Sequence, residues 1–233
     1  MDIEVLPDAG AVARRAAAFI ADAARAAVGA RGRFVFAVSG GRTPWVMLRA
    51  LAQEEVPWQA VAVVQVDERS APEGHPDRNL THLRQSLLER ATMEAGQIHA
   101  MPVEAEDLDA AAREYGDTLH RLIGPSGRLD LVHLGLGPDG HTASLVPGAP
   151  ELEVRDASVV ATAVYQGRRR MTLTFPVLDN AQRILWVVTG DDKREMLLRL
   201  RNRDAAIPAG RVASHNAVVM ADRAAAALLP DQS

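Results

Sequence analysis

The hydrophobic residues of the chain form short apolar runs that alternate with longer amphipathic stretches. Residues 11–28 carry alanine, arginine and a few larger apolar side chains without glycine before position 29 or any proline, which predicts a helix. The apolar run 33–38 then predicts a strand. It ends at a turn of small residues over 39–41, and a helix is predicted to follow through Leu51.

The same alternation continues to the C-terminal end. Further strands are predicted at 60–66, 129–134, 158–163, 170–174, 183–188 and 217–220, and further helices at 79–90, 107–123 and 191–200, with an alanine-rich helix after the last strand. Apolar strands alternating with helices favour a single α/β domain over 1–233 with a mainly parallel sheet flanked by helices, in a Rossmann-like (modified) three-layer arrangement. Ligands of such sheets bind outside the carboxyl ends of the strands, so the post-strand loops are where a site is expected.

Composition and charge narrow the class of protein. The chain is 48% hydrophobic and 24% charged with a formal net charge of -4, which favours a globular protein without a nucleic-acid partner. Cysteine is absent, which excludes disulfides, thiolate catalysis and cysteine-ligated metal sites. The sequence has no signal-peptide pattern and no run approaching about 18 apolar residues. We therefore expect a cytoplasmic protein with no membrane partner, either a monomer or a homodimer.

The first post-strand loop contains Ser39, Gly40 and Gly41. These small residues leave backbone N–H groups free at the start of a helix, which is an arrangement that binds anions such as phosphate. A tight turn that needs glycine for its dihedral angles is the alternative interpretation. The loop is not a P-loop, because no Gly-Lys-Ser/Thr sequence follows it.

The second post-strand loop, residues 66–79, is dense in charge. Its candidate site residues are Asp67, Glu68, Arg69, His75 and Asn79. A solvated charged loop with a surface histidine is the alternative. The position directly after a buried strand favours a site.

The third post-strand loop, residues 135–148, contains the glycine spacing of a dinucleotide-binding motif at Gly135, Gly137 and Gly140. That interpretation is rejected because Pro138 interrupts the motif and a Pro-Gly pair at 147–148 leaves room for only one or two helical turns. No nucleotide or other cofactor is therefore expected from this loop.

The same loop places His141 two positions after Asp139. Imidazole titrates near neutral pH, so His141 could take a proton from water, and Asp139 could fix its tautomer. The alternative is a histidine that only holds the loop together. Further along, Arg170 and Lys193 offer cationic groups suited to phosphate, although most single surface cations bind nothing.

Taken together and in this order, the loops resemble the 6-phosphogluconolactonase family, which shares a fold with glucosamine-6-phosphate deaminases. The resemblance covers nearly the whole chain. It is carried by SGGRTP at 39–44, VDERSAPEGHPDRN at 66–79, GLGPDGHTASLVPG at 135–148, RMTLTFPVLDNA at 170–181, VTGDDKREML at 188–197 and VMADRAAA at 219–226.

The resemblance implies hydrolysis of 6-phospho-D-glucono-1,5-lactone to 6-phospho-D-gluconate, a step of the oxidative pentose phosphate pathway, without a metal or other cofactor. It implies that His141 is the general base. The residues that it assigns to the substrate phosphate are Ser39, Gly40, Gly41, Arg69, Arg170 and Lys193.

The chain departs from the family pattern at Arg78, where serine is usual, and at Val146, where an aromatic residue is usual. Two other functions stay open. Deaminase relatives have a Phe-Asn-Glu-Pro-like run where this chain reads SLVP at 144–147, which favours the lactonase over a deaminase or isomerase. A sugar-phosphate sensor would need a DNA-binding segment, and residues 1–30 show no helix-turn-helix pair.

Overall fold

The computed structural model describes residues 1–230, so the predicted domain range 1–233 extends three residues beyond the described part of the chain. The helices are α1 (Ala9–Arg31), α2 (Arg42–Leu51), α3 (Asn79–Leu83), α4 (Leu108–Ile123), α5 (Phe175–Asp179), α6 (Arg194–Arg201) and α7 (Pro208–Arg211). The strands are β1 (Asp2–Leu6), β2 (Phe34–Val38), β3 (Val61–Gln65), β4 (Asp67–Arg69), β5 (Ile98–His99), β6 (Leu131–Leu134), β7 (Val159–Ala161), β8 (Arg170–Leu173), β9 (Ile184–Val188) and β10 (Ala217–Asp222).

Seven strands form one sheet in the order β1-β10-β9-β6-β2-β3-β5, and every adjacent pair is parallel. The predicted mainly parallel sheet is therefore confirmed. The carboxyl ends of β2, β3, β6 and β9 lie side by side in the middle of the sheet, so the loops that follow them meet at one edge.

The two faces of the sheet carry separate hydrophobic cores, which gives the three layers. Along β2, Phe34, Phe36 and Val38 point to the face covered by α1 and α2, whereas Val35 and Ala37 point to the face covered by α4 and α6. Side chains alternate across a strand, so both faces of this fully buried strand are apolar. Burying one such large side chain contributes roughly 1.5–3 kcal/mol.

A second, three-stranded sheet in the order β4-β8-β7 is antiparallel and lies against the α4 side. The strands predicted at 158–163 and 170–174 belong to this sheet and not to the parallel one. Val66 joins the two sheets: its N–H bonds to Val38 O at 3.0 Å and its carbonyl accepts from Leu173 N at 2.9 Å. The predicted strand 60–66 thus continues across Val66 into β4, which the sequence pattern did not reveal.

Two predicted helices differ in the structure. The helix predicted at 79–90 is α3 followed by a wider π-helical segment, Arg84–Leu88, in which Glu89 N bonds to Arg84 O at 3.0 Å. The predicted C-terminal alanine-rich helix is wrong, because residues 223–228 form turns. So short a segment cannot sustain a helix by propensity alone, and Pro230 disfavours helical geometry at the residue before it.

Candidate active site

A pocket of about 310 Å³ opens at the carboxyl end of the parallel sheet. It gathers residues from all three post-strand loops and from the loop after β9. The lining residues are Ser39, Gly40, Gly41, Arg42, Thr43, Pro44, Asp67, Arg69, Asn79, Gly135, Leu136, Gly137, Pro138, His141, Ala143, Arg170, Val187, Val188, Thr189, Asp192 and Lys193. Four of their side chains are cationic and two are carboxylates, so the pocket is locally positive on a chain whose net charge is -4.

The first loop lies at the start of α2 and is hydrogen-bonded to β6. Ser39 is buried; its hydroxyl donates to His133 O at 3.0 Å and its N–H donates to His133 Nδ1 at 3.3 Å. Gly41 caps α2 with a φ of +129°, which is a conformation that favours glycine. A Cβ on Gly40 would lie 2.1 Å from Asn79 Oδ1, so glycine is required for this close approach.

Arg69 and Arg170 face each other across the antiparallel pair β4 and β8, where they are direct register partners. Opposed residues in such a pair share one face of the sheet, and like charges there repel. Arg170 is buried, which lowers its pKa, and the positive charge of Arg69 lowers it further. Neither guanidinium lies within 4 Å of a carboxylate in residues 1–230.

Arg170 is further distinguished by a buried Nε without a hydrogen-bond partner among the described residues. Asp67 supplies the largest compensating charge, which raises the pKa of Arg170 against the effect of burial. Asp67 is itself held by Ser144, whose hydroxyl donates to its Oδ2 at 2.7 Å. The two arginines therefore line the pocket as cations without a carboxylate ion pair among residues 1–230.

The third loop brings Asp139 and His141 together. Asp139 Oδ1 lies 2.5 Å from His141 Nδ1 and also accepts the His141 backbone N–H at 3.1 Å. Partial burial would raise the pKa of Asp139, but these hydrogen bonds and the neighbouring imidazole outweigh it and lower the pKa. The carboxylate stays charged at neutral pH, fixes the proton on Nδ1, and leaves Nε2 as the basic nitrogen.

Glycines in this loop make room for the imidazole. A Cβ on Gly137 would lie 2.1 Å from His141 Nδ1, and one on Gly140, whose φ is +82°, would lie 2.6 Å from Ile207 Cβ. The spacing that resembled a dinucleotide motif thus serves the packing of His141 and of the loop. No helix follows the loop: a short 3-10 turn, Pro150–Glu153, stands there.

Lys193 reaches the pocket from the loop after β9, where its Nζ pairs with Asp192 Oδ2 at 2.9 Å. Asn79 also lines the pocket, and its amide donates to Asp67 O at 3.0 Å. The remaining predicted residues that line the pocket are Asp67 and the three residues of the first loop.

Glu68, His75 and Asp139 are not among the residues that line the pocket, although Asp139 bonds to His141, which does line it. The Glu68 side chain is fully buried, and its oxygens accept from Gln65 Nε2 and from three backbone N–H groups. His75 braces its own loop, since its Nδ1 accepts the Asp77 N–H at 3.1 Å. That loop in turn holds Arg69, whose Nη1 donates to Asp77 O at 3.0 Å.

Sequence reasoning missed two residues beside the pocket. Arg42, the first residue of α2, lines it, and its place directly after the glycine turn was a usable signal. Tyr165 contacts Asp139, His141 and Arg170 from the loop between β7 and β8, where the apolar pattern gave no signal.

Within residues 1–230, no group of three or more His, Cys, Asp or Glu side chains is placed to hold a metal ion. No helix in this same part of the chain has the length and apolar character needed to cross a membrane.

Comparisons with known proteins identify the family of the chain. Residues 7–220 match the family model described as glucosamine-6-phosphate isomerases/6-phosphogluconolactonase. The 6-phosphogluconolactonase of Nostoc sp. is 35% identical over 202 residues, which covers 85% of this chain and 84% of the relative. A crystal structure of 6-phosphogluconolactonase from Thermotoga maritima has a TM-score of 0.84 at 25% identity, covering 95% of this chain and 98% of that chain.

A monomeric glucosamine-6-phosphate deaminase has the same TM-score, 0.84, at 21% identity, covering 98% of this chain and 100% of that chain. This second likeness shows the fold alone. Fold and pocket define an α/β protein with a small, mainly cationic pocket at the carboxyl end of a parallel sheet. The chain belongs to the glucosamine-6-phosphate isomerase/6-phosphogluconolactonase family of enzymes.

Proposed function

We propose that this enzyme is a lactonase that hydrolyses 6-phospho-D-glucono-1,5-lactone to 6-phospho-D-gluconate, with His141 as general base and without a metal ion. Curated relatives that are 6-phosphogluconolactonases support the reaction. The observation that carries it is the pair of opposed guanidiniums, Arg69 and Arg170, in the same pocket as His141, whose Nδ1 is hydrogen-bonded to Asp139.

The arginine pair supports a phosphate ligand. Two like charges held opposite each other destabilise the free protein, and a dianionic phosphate between them would convert that repulsion into charge-assisted hydrogen bonds. The backbone N–H groups of the first loop and Lys193 lie on the same pocket and would add contacts. An unphosphorylated sugar lactone would gain none of these.

The hydrogen-bonded pair Asp139 and His141 supports hydrolysis. His141 Nε2 takes a proton from a water molecule as the water oxygen bonds to the lactone carbonyl carbon, and the carbonyl oxygen takes the negative charge. When the bond between that carbon and the ring oxygen breaks, the imidazolium gives its proton to the ring oxygen. Asp139 stays ionised throughout and stabilises the imidazolium, which is the role its low pKa suits.

The remote phosphate contributes to rate by orientation. With the phosphate fixed at the arginines, the carbonyl carbon is held towards His141, so binding energy is used to position the reacting atoms. We therefore expect the phosphorylated lactone to be preferred in kcat/KM and not only in affinity.

The test is hydrolysis of freshly prepared 6-phosphoglucono-1,5-lactone, followed as acid release above the spontaneous rate, with glucono-1,5-lactone alongside. We expect fast turnover of the phosphorylated lactone only, at a rate that EDTA does not change. No acceleration, together with ammonia release from glucosamine 6-phosphate, would show a deaminase instead. Loss of activity in EDTA that added metal restores would overturn the metal-independent mechanism.

A further inference from the structure

The loop between β7 and β8 ends in a two-residue turn that presents Tyr165 to the pocket edge. Tyr165 N bonds to Arg168 O at 2.9 Å and Arg168 N bonds to Tyr165 O at 3.3 Å, while Gln166 and Gly167 between them have φ angles of +51° and +81°. Two positive φ values are typical of the tight turns that match the twist of a β-hairpin. The side chain is therefore held on a hairpin and not on a loose loop.

Tyr165 contacts the pair Asp139 and His141 and also the guanidinium of Arg170. Its hydroxyl donates to Asp139 Oδ2 at 3.1 Å, and its ring stands edge-on to the His141 ring with centroids 5.8 Å apart. On its face lies the Arg170 guanidinium, with Cζ 4.9 Å from the ring centroid. Burial and the charge of Asp139 raise the pKa of Tyr165, so the hydroxyl remains a donor at neutral pH.

Each contact fixes a group that would otherwise rotate. Asp139 is a short side chain at the surface, and its two oxygens are distinguished only by their partners: Oδ1 meets His141 and Oδ2 meets Tyr165. Arg170 has an unpartnered Nε, and its orientation is set by the Tyr165 ring and by Gln166, whose Oε1 accepts from Nη2 at 3.1 Å. One hairpin thus orients the acid–base pair and a cation together.

We propose that Tyr165 is a positioning residue for lactone hydrolysis, holding Asp139 through its hydroxyl and Arg170 through its ring. This inference rests on the proposed function. It makes separate predictions for the two parts of the side chain: the hydroxyl acts on the proton transfer at His141, and the ring acts on phosphate binding at Arg170.

Tyr165→Phe removes the hydroxyl and keeps the ring. We expect kcat to fall about 10-fold, with KM for the phosphorylated lactone within about twofold of wild type. Without its donor, Asp139 interacts more strongly with the imidazolium, so the acid limb of the kcat–pH profile should move up by about 0.5 pH unit. A purely structural role would not move that limb.

Tyr165→Leu removes the ring as well. We expect the same fall in kcat and, in addition, an increase of about fivefold in KM for the phosphorylated lactone, because the guanidinium loses its aromatic partner. Any slow hydrolysis of glucono-1,5-lactone should fall no further than it does in Tyr165→Phe, because that substrate carries no phosphate. The matched control is Val164→Ala on the same hairpin, where the side chain is 66% exposed and lies outside the pocket lining; it should leave all constants unchanged.

The outcomes separate this inference from the proposed function. The role of Tyr165 would be overturned if Tyr165→Phe had the kcat and pH profile of wild type. If wild type were active in the same experiment and His141→Asn inactive, the lactonase proposal would stand. A wild type that does not hydrolyse the phosphorylated lactone would overturn both. An equal loss in Tyr165→Phe and Val164→Ala would show that the hairpin, and not the tyrosine hydroxyl, matters.

Discussion

Asp139 and His141 are two positions apart in the chain, yet their pairing depends on the turn between them. The Asp139 carboxylate accepts both the backbone N–H and the ring N–H of His141, so one carboxylate orients the residue twice. This local geometry gives His141 a defined tautomer before any ligand binds.

Replacing the base should reduce the chemical step and leave binding intact. General base catalysis contributes about 10²–10⁴-fold, so His141→Asn should lower kcat by that order while KM stays within a factor of about two. Steady-state kinetics on the phosphorylated lactone measures both constants. His120→Asn is the control, since this exposed histidine lies outside the pocket lining and its Nε2 bonds to Ser158 Oγ at 2.8 Å. An unchanged kcat would remove His141 from the mechanism.

The opposed arginines, Arg69 and Arg170, should contribute to binding of the phosphorylated lactone. One charge-assisted hydrogen bond is worth about 1.5–3 kcal/mol, so Arg69→Ala should raise KM for the phosphorylated lactone about 10-fold or more. Any slow hydrolysis of the unphosphorylated lactone should proceed at the wild-type rate. Because Arg69 and Arg170 repel each other in the free enzyme, the thermal midpoint without ligand should not fall.

Arg49→Ala is the matched control, on the exposed surface of α2 away from the pocket lining. It should leave KM unchanged. A normal KM in Arg69→Ala would mean that phosphate is bound elsewhere, and a large fall in its thermal midpoint would mean that the residue is structural.

At the scale of elements, the loop after β6 is built around one close contact. A methyl group on Gly137 would overlap His141 Nδ1, and the backbone cannot give way easily because Gly137 N bonds to His141 O at 2.8 Å. Gly137→Ala should therefore displace the imidazole. A displacement of about 1 Å can lower the rate about 10²-fold, and we expect a fall in kcat of that size.

The measurement for this loop is kcat together with the thermal midpoint. Gly29→Ala in α1 is the control, since a Cβ there meets no atom within 4 Å and alanine favours the helix. It should raise stability slightly and leave kcat alone. Wild-type kcat in Gly137→Ala would contradict the contact with His141.

At the scale of the whole molecule, part of the pH dependence of stability should come from one fully buried histidine. His133 sits in the central strand β6, and complete burial lowers its pKa from 6.5 to about 3. Below pH 6.5 this histidine is protonated in the unfolded chain, whereas in the folded chain it stays neutral until about pH 3. Acid therefore favours unfolding across this window. Between pH 7.5 and pH 5 the loss is about 2 kcal/mol.

Denaturant unfolding at these two pH values measures the effect. In His133→Asn, which has no titrating group, the loss on acidification should be smaller by about 2 kcal/mol, although the variant is less stable at both pH values. His215→Asn, at an exposed histidine, should behave as wild type does. An equal acid loss in wild type and His133→Asn would show that other groups cause it.

Much of the architecture could be predicted from the chain alone. In buried runs such as 34–38 and 184–188, and in the long amphipathic helices, the local sequence pattern matches the element that forms. The alternation of these strands and helices along the chain favours a parallel sheet. Since parallel strands place their carboxyl ends at one edge, the loops carrying Ser39, Asp67 and His141 were expected to meet, and they do.

Only the tertiary structure decided which candidates share the pocket. Glu68 and Arg69 are adjacent and both ionisable, but alternation across β4 buries the first and turns the second to the pocket. The opposition of Arg69 and Arg170 depends on pairing between distant segments, and so does the approach of Tyr165 to Asp139. Local pattern determines strands, helices and their order, whereas strand register and long-range contacts decide which side chains meet.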